Sequence, residues 1–234
     1  MYYGIFDQTF ILLVPAMIFA FYAQAKVQSA FKTYSGVRNR MGISGALAAR
    51  RILDSNGLEN VTIELTEGKL SDHYDPRKKV LRLSHGVYDS PSIASVSIAA
   101  HEAGHAMQDG RGYAPLKIRN AIAPVVSFAS NLAWPLLIIG IAVTSAGYYS
   151  GGDLLFNGGV LLFLGVIFFH AVTLPVEYNA SRLAVEQLLA LGIILEEEKT
   201  SSKKVLSAAA MTYIAALAVA VANLLRILAM RRRN

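Results

Sequence analysis

Residues 101–105 read His101-Glu102-Ala103-Gly104-His105, the pattern H-E-x-x-H. On a helix, side chains four positions apart lie one turn apart on the same face, with their Cβ atoms about 5–6 Å from each other. Two imidazoles placed in this way can bind one zinc ion, at about 2.0–2.1 Å for each bond. The carboxylate of Glu102 would stand beside the open metal position, where it can take a proton from water. The five residues therefore predict a zinc site with its own general base.

The residues around the motif predict the helix that this metal geometry requires. Ser90 is a good N-cap, and Pro91 suits the first helical position. Apolar residues recur at helical spacing up to the motif, and Asp109-Gly110 supplies a stop signal. We therefore expect one helix to begin at Ser90 and to carry both histidines.

Three short segments with β propensity precede this helix, at residues 61–66, 70–74 and 80–83. Glu67-Gly68 is predicted to join the first two segments, and residues 75–79 are predicted to turn between the second and the third. The three segments together predict a small antiparallel sheet.

The composition indicates a membrane protein. Hydrophobic residues make up 54% of the 234 residues, and charged residues only 16%, whereas soluble domains carry about 25% charged residues. Residues 4–23 form an apolar run that is long enough to span a bilayer, without the basic segment that precedes a cleaved signal sequence. Residues 121–146 and 154–176 are two longer apolar stretches, and they predict a transmembrane hairpin.

The distribution of basic residues predicts the orientation. Residues 1–25 and 120–181 contain no Lys or Arg, whereas residues 26–119 contain fourteen. By the positive-inside rule, residues 26–119 and 177–204 should face the cytoplasm. Nucleic acid is not expected as a partner, because the basic residues are not clustered with aromatic residues on one compact domain.

The last apolar segment, residues 205–230, leaves two interpretations open. If it spans the membrane, it carries Arg231-Arg232-Arg233 to the outside; otherwise it packs as a core helix or lies at the interface. Thr212 and Asn223 dilute its apolarity, which favours packing and a total of three spans. The predicted regions are an anchor at 1–25, a catalytic region at 26–119, a hairpin at 120–176 and a helical region at 177–234.

A catalytic zinc site needs a third protein ligand, and because the chain has no cysteine this ligand must be His, Asp or Glu. His170 lies in a predicted span and is read as a buried, hydrogen-bonded histidine; His85, in a polar loop, is read as solvent-exposed. Glu177 follows a span and is predicted to open a helix. A carboxylate there is either a metal ligand or a helix N-terminal group favoured by the dipole.

Three segments carry a resemblance to a known family. Asp72-His73-Tyr74-Asp75-Pro76, the helix from His101 to Gln108, and Leu174-Pro175-Val176-Glu177 resemble segments of the YugP-like bacterial membrane zinc metallopeptidases. The pattern is also similar to that of the HtpX-like and prenyl-protein endopeptidases, which are gluzincins. The likeness covers nearly the whole chain. It implies an α+β, mostly α, membrane-embedded zincin-like metalloprotease with a small antiparallel sheet and three to four transmembrane helices.

The resemblance also implies the role of each site residue. Glu177 becomes the third ligand, with His101 and His105, to one catalytic Zn²⁺, and Glu102 becomes the general base. At Ser181 the chain departs from the HtpX-like pattern, which has an Asp that would orient a ligand histidine. A serine makes only one weaker bond, so Asn179 is expected to share that task.

Three further residues are candidates for contacts with the substrate. Arg182 and Tyr213 are candidate donors to the oxyanion, although a structural ion pair for Arg182 and ordinary packing for Tyr213 are the alternatives. His73 lies on the strand segment before the motif helix, where an extended peptide could pair by β-augmentation.

These observations predict a multi-pass zinc endopeptidase of the cytoplasmic membrane, with its active site facing the cytoplasm. Its expected substrates are peptides or proteins, membrane or misfolded proteins among them. The alternative is a non-catalytic zinc-binding scaffold, and the intact Glu102 argues against it because zinc binding alone needs no such residue. A transporter is disfavoured because it would be expected to carry ionisable groups in mid-span, where the predicted spans offer only His170.

Overall fold

The computed structural model describes residues 8–231, which form two compact units. The helix–sheet unit comprises residues 23–117 and 175–211; the apolar unit comprises the described residues of 8–22, 118–174 and 212–231. In chain order the elements are a 3-10 turn (Gln8–Leu12), α1 (Val14–Ser35), α2 (Gly45–Ser55), β1 (Thr62–Thr66), β2 (His73–Asp75), β3 (Val80–Ser84), α3 (His85–Tyr88), α4 (Ile93–Gly110), α5 (Ala114–Ser145), α6 (Tyr149–Ala190) and α7 (Glu196–Arg231).

The sheet is mixed, with strand order β1-β3-β2. β2 pairs antiparallel with β3, as predicted, but the prediction is wrong for β1, which pairs parallel with β3. Burial explains why β3 is central: both of its faces are covered, whereas the residues of β1 and β2 are exposed or half-buried. The apolar sequence of β3 favours the middle position. The chain therefore leaves β1, forms β2 at the opposite edge of the sheet, and returns to place β3 between them.

The motif helix α4 begins two residues later than predicted. Its N-cap is Ser92, whose side chain accepts from the backbone N–H of Ser95, while the Ser95 hydroxyl accepts from the N–H of Ser92. This reciprocal capping box satisfies the backbone N–H groups of Ser92 and Ser95, which have no acceptor within the helix. The C-terminal end at Gly110 agrees with the predicted stop.

α4 is buried on nearly every face, and α2 is one of the elements that cover it. Ser44 caps α2 by accepting from the N–H of Leu47. Gly45 permits the close approach at this end, since a Cβ there would lie 2.3 Å from the carbonyl oxygen of Val87. The core of the unit includes Ala48, Ala49, Ile52, Leu53, Leu81, Leu83, Val96, Ala99, Ala100 and Ala103.

Glu177 does not open a helix, contrary to the sequence prediction. α6 continues through Pro175 and ends at Ala190, before Gly192 at a φ of 63°. Glu177 therefore lies in the middle of a helix, where the dipole of a helix terminus has no influence. The alternative interpretation of this residue, a carboxylate at a helix N-terminus, is thereby removed.

Within residues 8–231, three helices are long and apolar enough to cross a membrane, by length and composition: α5, α6 and α7. α5 and α6 contain the two apolar stretches of the predicted hairpin, and both meet these criteria, so this part of the prediction is confirmed. α7 begins at Glu196, so the charged residues 196–204, which precede the last apolar segment, are its first turns. The apolar unit has a core that includes Ala133, Leu137, Phe156, Phe163, Ala220 and Ile227.

The C-terminal end of α7 is fixed within the apolar unit. Arg231 donates to Asp153 at 2.7 Å and to Asn157 at 2.9 Å, and its guanidinium lies 4.6 Å from the ring centroid of Phe156. Asp153 and Asn157 lie near the start of α6, so α7 ends at the same end of the unit as the hairpin loop. A spanning α7 therefore places Arg231 beside a carboxylate, which lowers the cost of a cation on that side.

The predicted anchor at residues 4–23 begins outside the described residues. Its described part contains the 3-10 turn and the first half of α1, and α1 is not among the helices of sufficient apolarity. α1 continues to Ser35 past Gln24, Lys26, Gln28 and Lys32, which lowers its mean hydropathy. The anchor therefore stays a prediction.

Candidate metal centre

α4 places His101 and His105 one turn apart, with ring centroids 4.7 Å apart and ring planes at 82°. The two rings lie this close because the period of the helix brings positions i and i+4 to one face. Both side chains are largely buried, at 13% and 11% exposed, so that neither imidazole is freely hydrated. The sequence prediction of two imidazoles on one helical face is confirmed.

Glu177 approaches the same point from α6. Its Oε2 lies 3.1 Å from Nε2 of His101 and 3.6 Å from Nε2 of His105, and its side chain is 3% exposed. One ligand atom from each of the three residues lies within 4.8 Å of the others. Two imidazole nitrogens and a carboxylate oxygen, at such separations, form a donor set that suits a tetrahedral zinc ion with one open position. The three residues therefore fit the predicted metal.

The outer nitrogens of both histidines have partners. Ser181 Oγ lies 3.2 Å from Nδ1 of His101, and the amide oxygen of Gln108 lies 3.0 Å from Nδ1 of His105. The Gln108 amide nitrogen donates to the backbone carbonyl of Val176 at 2.8 Å and to the Asn179 side chain at 2.9 Å.

This network determines the tautomer of His105. Because the amide nitrogen of Gln108 faces two oxygen acceptors, its amide oxygen must face the histidine. Nδ1 of His105 then carries the hydrogen, and Nε2 keeps a free lone pair for a metal. Asn179 was expected to share the orienting task, and it contacts Gln108 rather than a ligand histidine. Gln108 was missed as a functional residue, although its spacing three positions after His105 places both on one face of α4.

Gly104 allows α6 to approach α4 closely. A Cβ at this position would lie 2.7 Å from the carbonyl oxygen of Ala180. The glycine inside the H-E-x-x-H motif therefore has a packing role: it lets the α6 turn that bears Glu177 lie against the face of α4 that bears both histidines.

We expect Gly104→Ala to separate α6 from α4 and to remove zinc. Overpacking of this kind costs about 1–3 kcal/mol, and a small displacement of Glu177 is enough to break the donor set. Zinc content and thermal midpoint of the detergent-solubilised protein measure both effects. Gly165→Ala, a glycine of α6, is the control, because nothing lies within 4 Å of a Cβ there. A Gly104→Ala protein with full zinc content would contradict this role.

Glu102 lies next to the donor set but is not one of its members. It is 9% exposed, and its Oε2 accepts from the backbone N–H of Tyr74 on β2 at 3.0 Å. Burial, the largest cause, and the carboxylates of Glu177 and Asp72 together raise the pKa of Glu102 to about 7, against the opposing effects of His101 and the Tyr74 N–H. A carboxyl group with a pKa near neutrality can both accept and release a proton at physiological pH.

Contacts between β2 and α4 position the strand beside Glu102. The Tyr74 hydroxyl donates to Asp109 at 2.9 Å, and Lys79 forms an ion pair with the same carboxylate. Burial, together with the hydrogen bond and charge of Asp109, raises the pKa of Tyr74. Tyr74 thus remains a neutral donor, and its backbone stays within reach of Glu102.

The other predicted site residues have clear positions. Arg182 is 62% exposed and pairs with Glu186 at 2.9 Å, which is the ion pair considered as its alternative. His73 is exposed on β2, and its Nδ1 lies 2.8 Å from the carbonyl oxygen of Ser71. Tyr213 lies on α7 in the apolar unit. The catalytic roles of Arg182 and Tyr213 and the substrate role of His73 stay predictions.

The two remaining histidines lie outside the donor set. His85 begins α3, is 60% exposed as expected, and lies 3.9 Å from Glu67. His170 lies on α6 in the apolar unit, half-buried, with its ring at 5.9 Å from that of Phe169.

Comparison with known proteins places the chain in a family. Residues 9–232 match the family described as "Putative neutral zinc metallopeptidase". The chain belongs to this zinc metallopeptidase family. It is also 46% identical, over 215 residues, to the Bacillus subtilis (strain 168) protein named "Putative membrane protease YugP", covering 92% of each chain. No solved structure matches the chain. This family match confirms the resemblance drawn from the sequence. The relative is named as a membrane protease, and together with the three apolar helices among the described residues this indicates a membrane protein.

Proposed function

We propose that this member of the family is a membrane-embedded zinc endopeptidase that cleaves peptide bonds within protein substrates. The observation that carries the proposal is the convergence of His101, His105 and Glu177, with the buried carboxylate of Glu102 beside them and outside the donor set. This arrangement holds a metal and keeps a separate base next to it. Those are the two requirements of metal-assisted hydrolysis.

When bound, one zinc ion supplies a Lewis acid that polarises the scissile carbonyl and makes water more acidic. Glu102 takes the proton of the attacking water on its carboxylate and delivers it to the leaving amine. Ser181 and Gln108 keep the two imidazoles oriented through their Nδ1 atoms. Arg182, or Tyr213, is the candidate donor to the developing oxyanion.

β2 is the candidate binding edge for an extended substrate. In the described sheet it is an edge strand that pairs with β3. Tyr74 turns its N–H away from β3 towards Glu102, so the open edge of β2 faces the proposed base. A peptide added along this edge would bring its backbone to the metal, with the exposed His73 beside it.

A zinc-binding scaffold without activity is less consistent with the site. Glu102 is not needed to hold a metal, yet it is buried and its pKa is raised. Burial of a carboxyl group costs free energy, and a purely structural zinc site gains nothing from it. Purified zinc-loaded protein incubated with an unfolded protein should release internal fragments, which mass spectrometry identifies. Intact substrate after prolonged incubation would favour the scaffold.

We further propose that the protein is a multi-pass protein of the cytoplasmic membrane and that its active site faces the cytoplasm. The absence of Lys and Arg from residues 120–181, against fourteen in residues 26–119, supports this orientation through the positive-inside rule.

The lack of native cysteine makes this orientation directly testable. Lys78→Cys, in the exposed turn before β3, should react with a membrane-impermeant maleimide only after the membrane is opened. Ser150→Cys, at the exposed start of α6, should react in intact cells. The reverse labelling pattern would place the metal centre outside the cytoplasm.

A further inference from the structure

A cavity of about 630 Å³ lies within the helix–sheet unit, between the C-terminal part of α6 and the N-terminal part of α7. Its volume is within the range of about 300–1,000 Å³ that is typical of ligand sites. The proposed hydrolytic mechanism gives this cavity no role.

The cavity shares a turn of α6 with the metal centre. Ser181 lines the cavity, and its Oγ lies 3.2 Å from Nδ1 of the ligand His101. Tyr178, the residue directly after the ligand Glu177, also lines it. The wall of the cavity is therefore joined to the metal centre by one hydrogen bond, through the imidazole of His101.

The wall of the cavity is mostly apolar. It includes Val185 and Leu189 from α6, and Leu206 and Ala210 from α7. Burial of an apolar side chain in such a space releases water from both surfaces, which favours binding in proportion to the area covered. The cavity is therefore suited to a large aliphatic or aromatic group.

The polar residues of the lining give it a positive charge. Four of the lining residues are basic and one, Glu186, is acidic. Arg182 pairs with Glu186, and Lys199 pairs with Glu196. Lys203 and Lys204 are exposed, and neither forms an ion pair within the described part of the chain. Lys203 and Lys204 are thus available to a carboxylate on the residue next to the apolar side chain of a bound peptide.

We propose that this cavity is a substrate-selecting subsite, which takes a large apolar side chain together with an adjacent acidic side chain of the peptide near the scissile bond. The proposal rests on the proposed endopeptidase function. Lys203 and Lys204 bind the carboxylate, while the apolar walls take the neighbouring side chain. Charge complementarity favours an acidic peptide over a basic one at this surface.

Peptide binding to the zinc-loaded Glu102→Gln protein in detergent tests the subsite separately from catalysis. The probes are two fluorescein-labelled peptides that differ only in a Leu-Glu or a Leu-Lys pair. We expect the Leu-Glu peptide to bind about tenfold more tightly at low salt and this preference to shrink as salt is added. Lys203→Glu/Lys204→Glu in the same background should reverse the preference.

Two variants separate the subsite from general effects of charge and folding. Ser207→Trp, at an exposed lining position, should weaken both peptides by filling the space. Arg51→Glu/Lys69→Glu reverses two exposed cations that are not part of the lining, and it should leave the preference unchanged. Zinc content shows that each variant is folded.

Equal binding of both peptides, or a preference that survives Lys203→Glu/Lys204→Glu, would overturn the proposal. Saturable binding of phosphatidylglycerol that is lost in Lys203→Glu/Lys204→Glu, with no binding of either peptide, would also overturn it and would assign the cavity to an anionic lipid. The proposed function fails in a different way: wild-type protein that binds the Leu-Glu peptide and never cleaves it would leave the subsite in place without an endopeptidase.

Discussion

Glu102→Gln should lower the rate of protein cleavage by about 10²–10⁴-fold while the protein keeps its full zinc content. The amide is nearly the same size as the carboxylate and can stay beside the Tyr74 N–H, so packing changes little. It cannot take a proton from water. Since His101, His105 and Glu177 form the donor set, the metal should remain bound. Cleavage of an unfolded protein and zinc analysis on one preparation measure both quantities.

The matched control for this substitution is Glu59→Gln, because it makes the same change at an exposed position outside the donor set and outside the cavity lining. It should retain full cleavage. If Glu102→Gln cleaved as fast as this control, Glu102 would not be the base, and the proposed mechanism would be wrong.

Removal of a metal ligand should lower cleavage by a similarly large factor, because it lowers the affinity for zinc. His105→Ala and Glu177→Gln each leave two of the three donors, and we expect more than about a 100-fold loss of affinity together with loss of cleavage. Gln108→Ala removes the partner of His105 Nδ1, with its hydrogen bonds to Val176 and Asn179, but no metal ligand, so its expected loss is about 10–100-fold. Competition with a chromogenic chelator measures all three affinities.

The graded order of these three variants is itself informative. A partner that orients a ligand should be less important than the ligand. Stoichiometric zinc of unchanged affinity in Glu177→Gln would remove Glu177 from the site. It would leave a two-histidine site that needs a donor from elsewhere.

The parts of the site that follow from local helix geometry could be predicted from the sequence. Two histidines four positions apart must lie on one face of any helix that contains them, and the signals around residues 90–110 required a helix. The assignment of Glu177 depended on the family resemblance, because the residues alone left two interpretations. The structure favours the metal ligand, since Glu177 lies in the middle of α6, 3.1 Å from His101.

The parts that depend on long-range packing could not be predicted in this way. The sequence suggested adjacent antiparallel strands, but the burial of β3 on both faces placed it between β1 and β2. The role of Gly104 depends on the carbonyl of Ala180, 76 positions along the chain and on another helix. Gln108 likewise becomes functional only because Val176 and Asn179 accept from its amide nitrogen and so turn its oxygen towards His105.

One measurement tests the central claim most directly: cleavage of an unfolded protein by the purified chain, followed as a chelator removes its zinc and as zinc is then returned. Cleavage should stop when the metal is removed and should recover fully at one zinc ion for each chain, because one donor set of His101, His105 and Glu177 holds it. Cleavage that continues in the metal-free protein, or zinc-loaded protein that leaves its substrate intact, would contradict the proposed zinc endopeptidase.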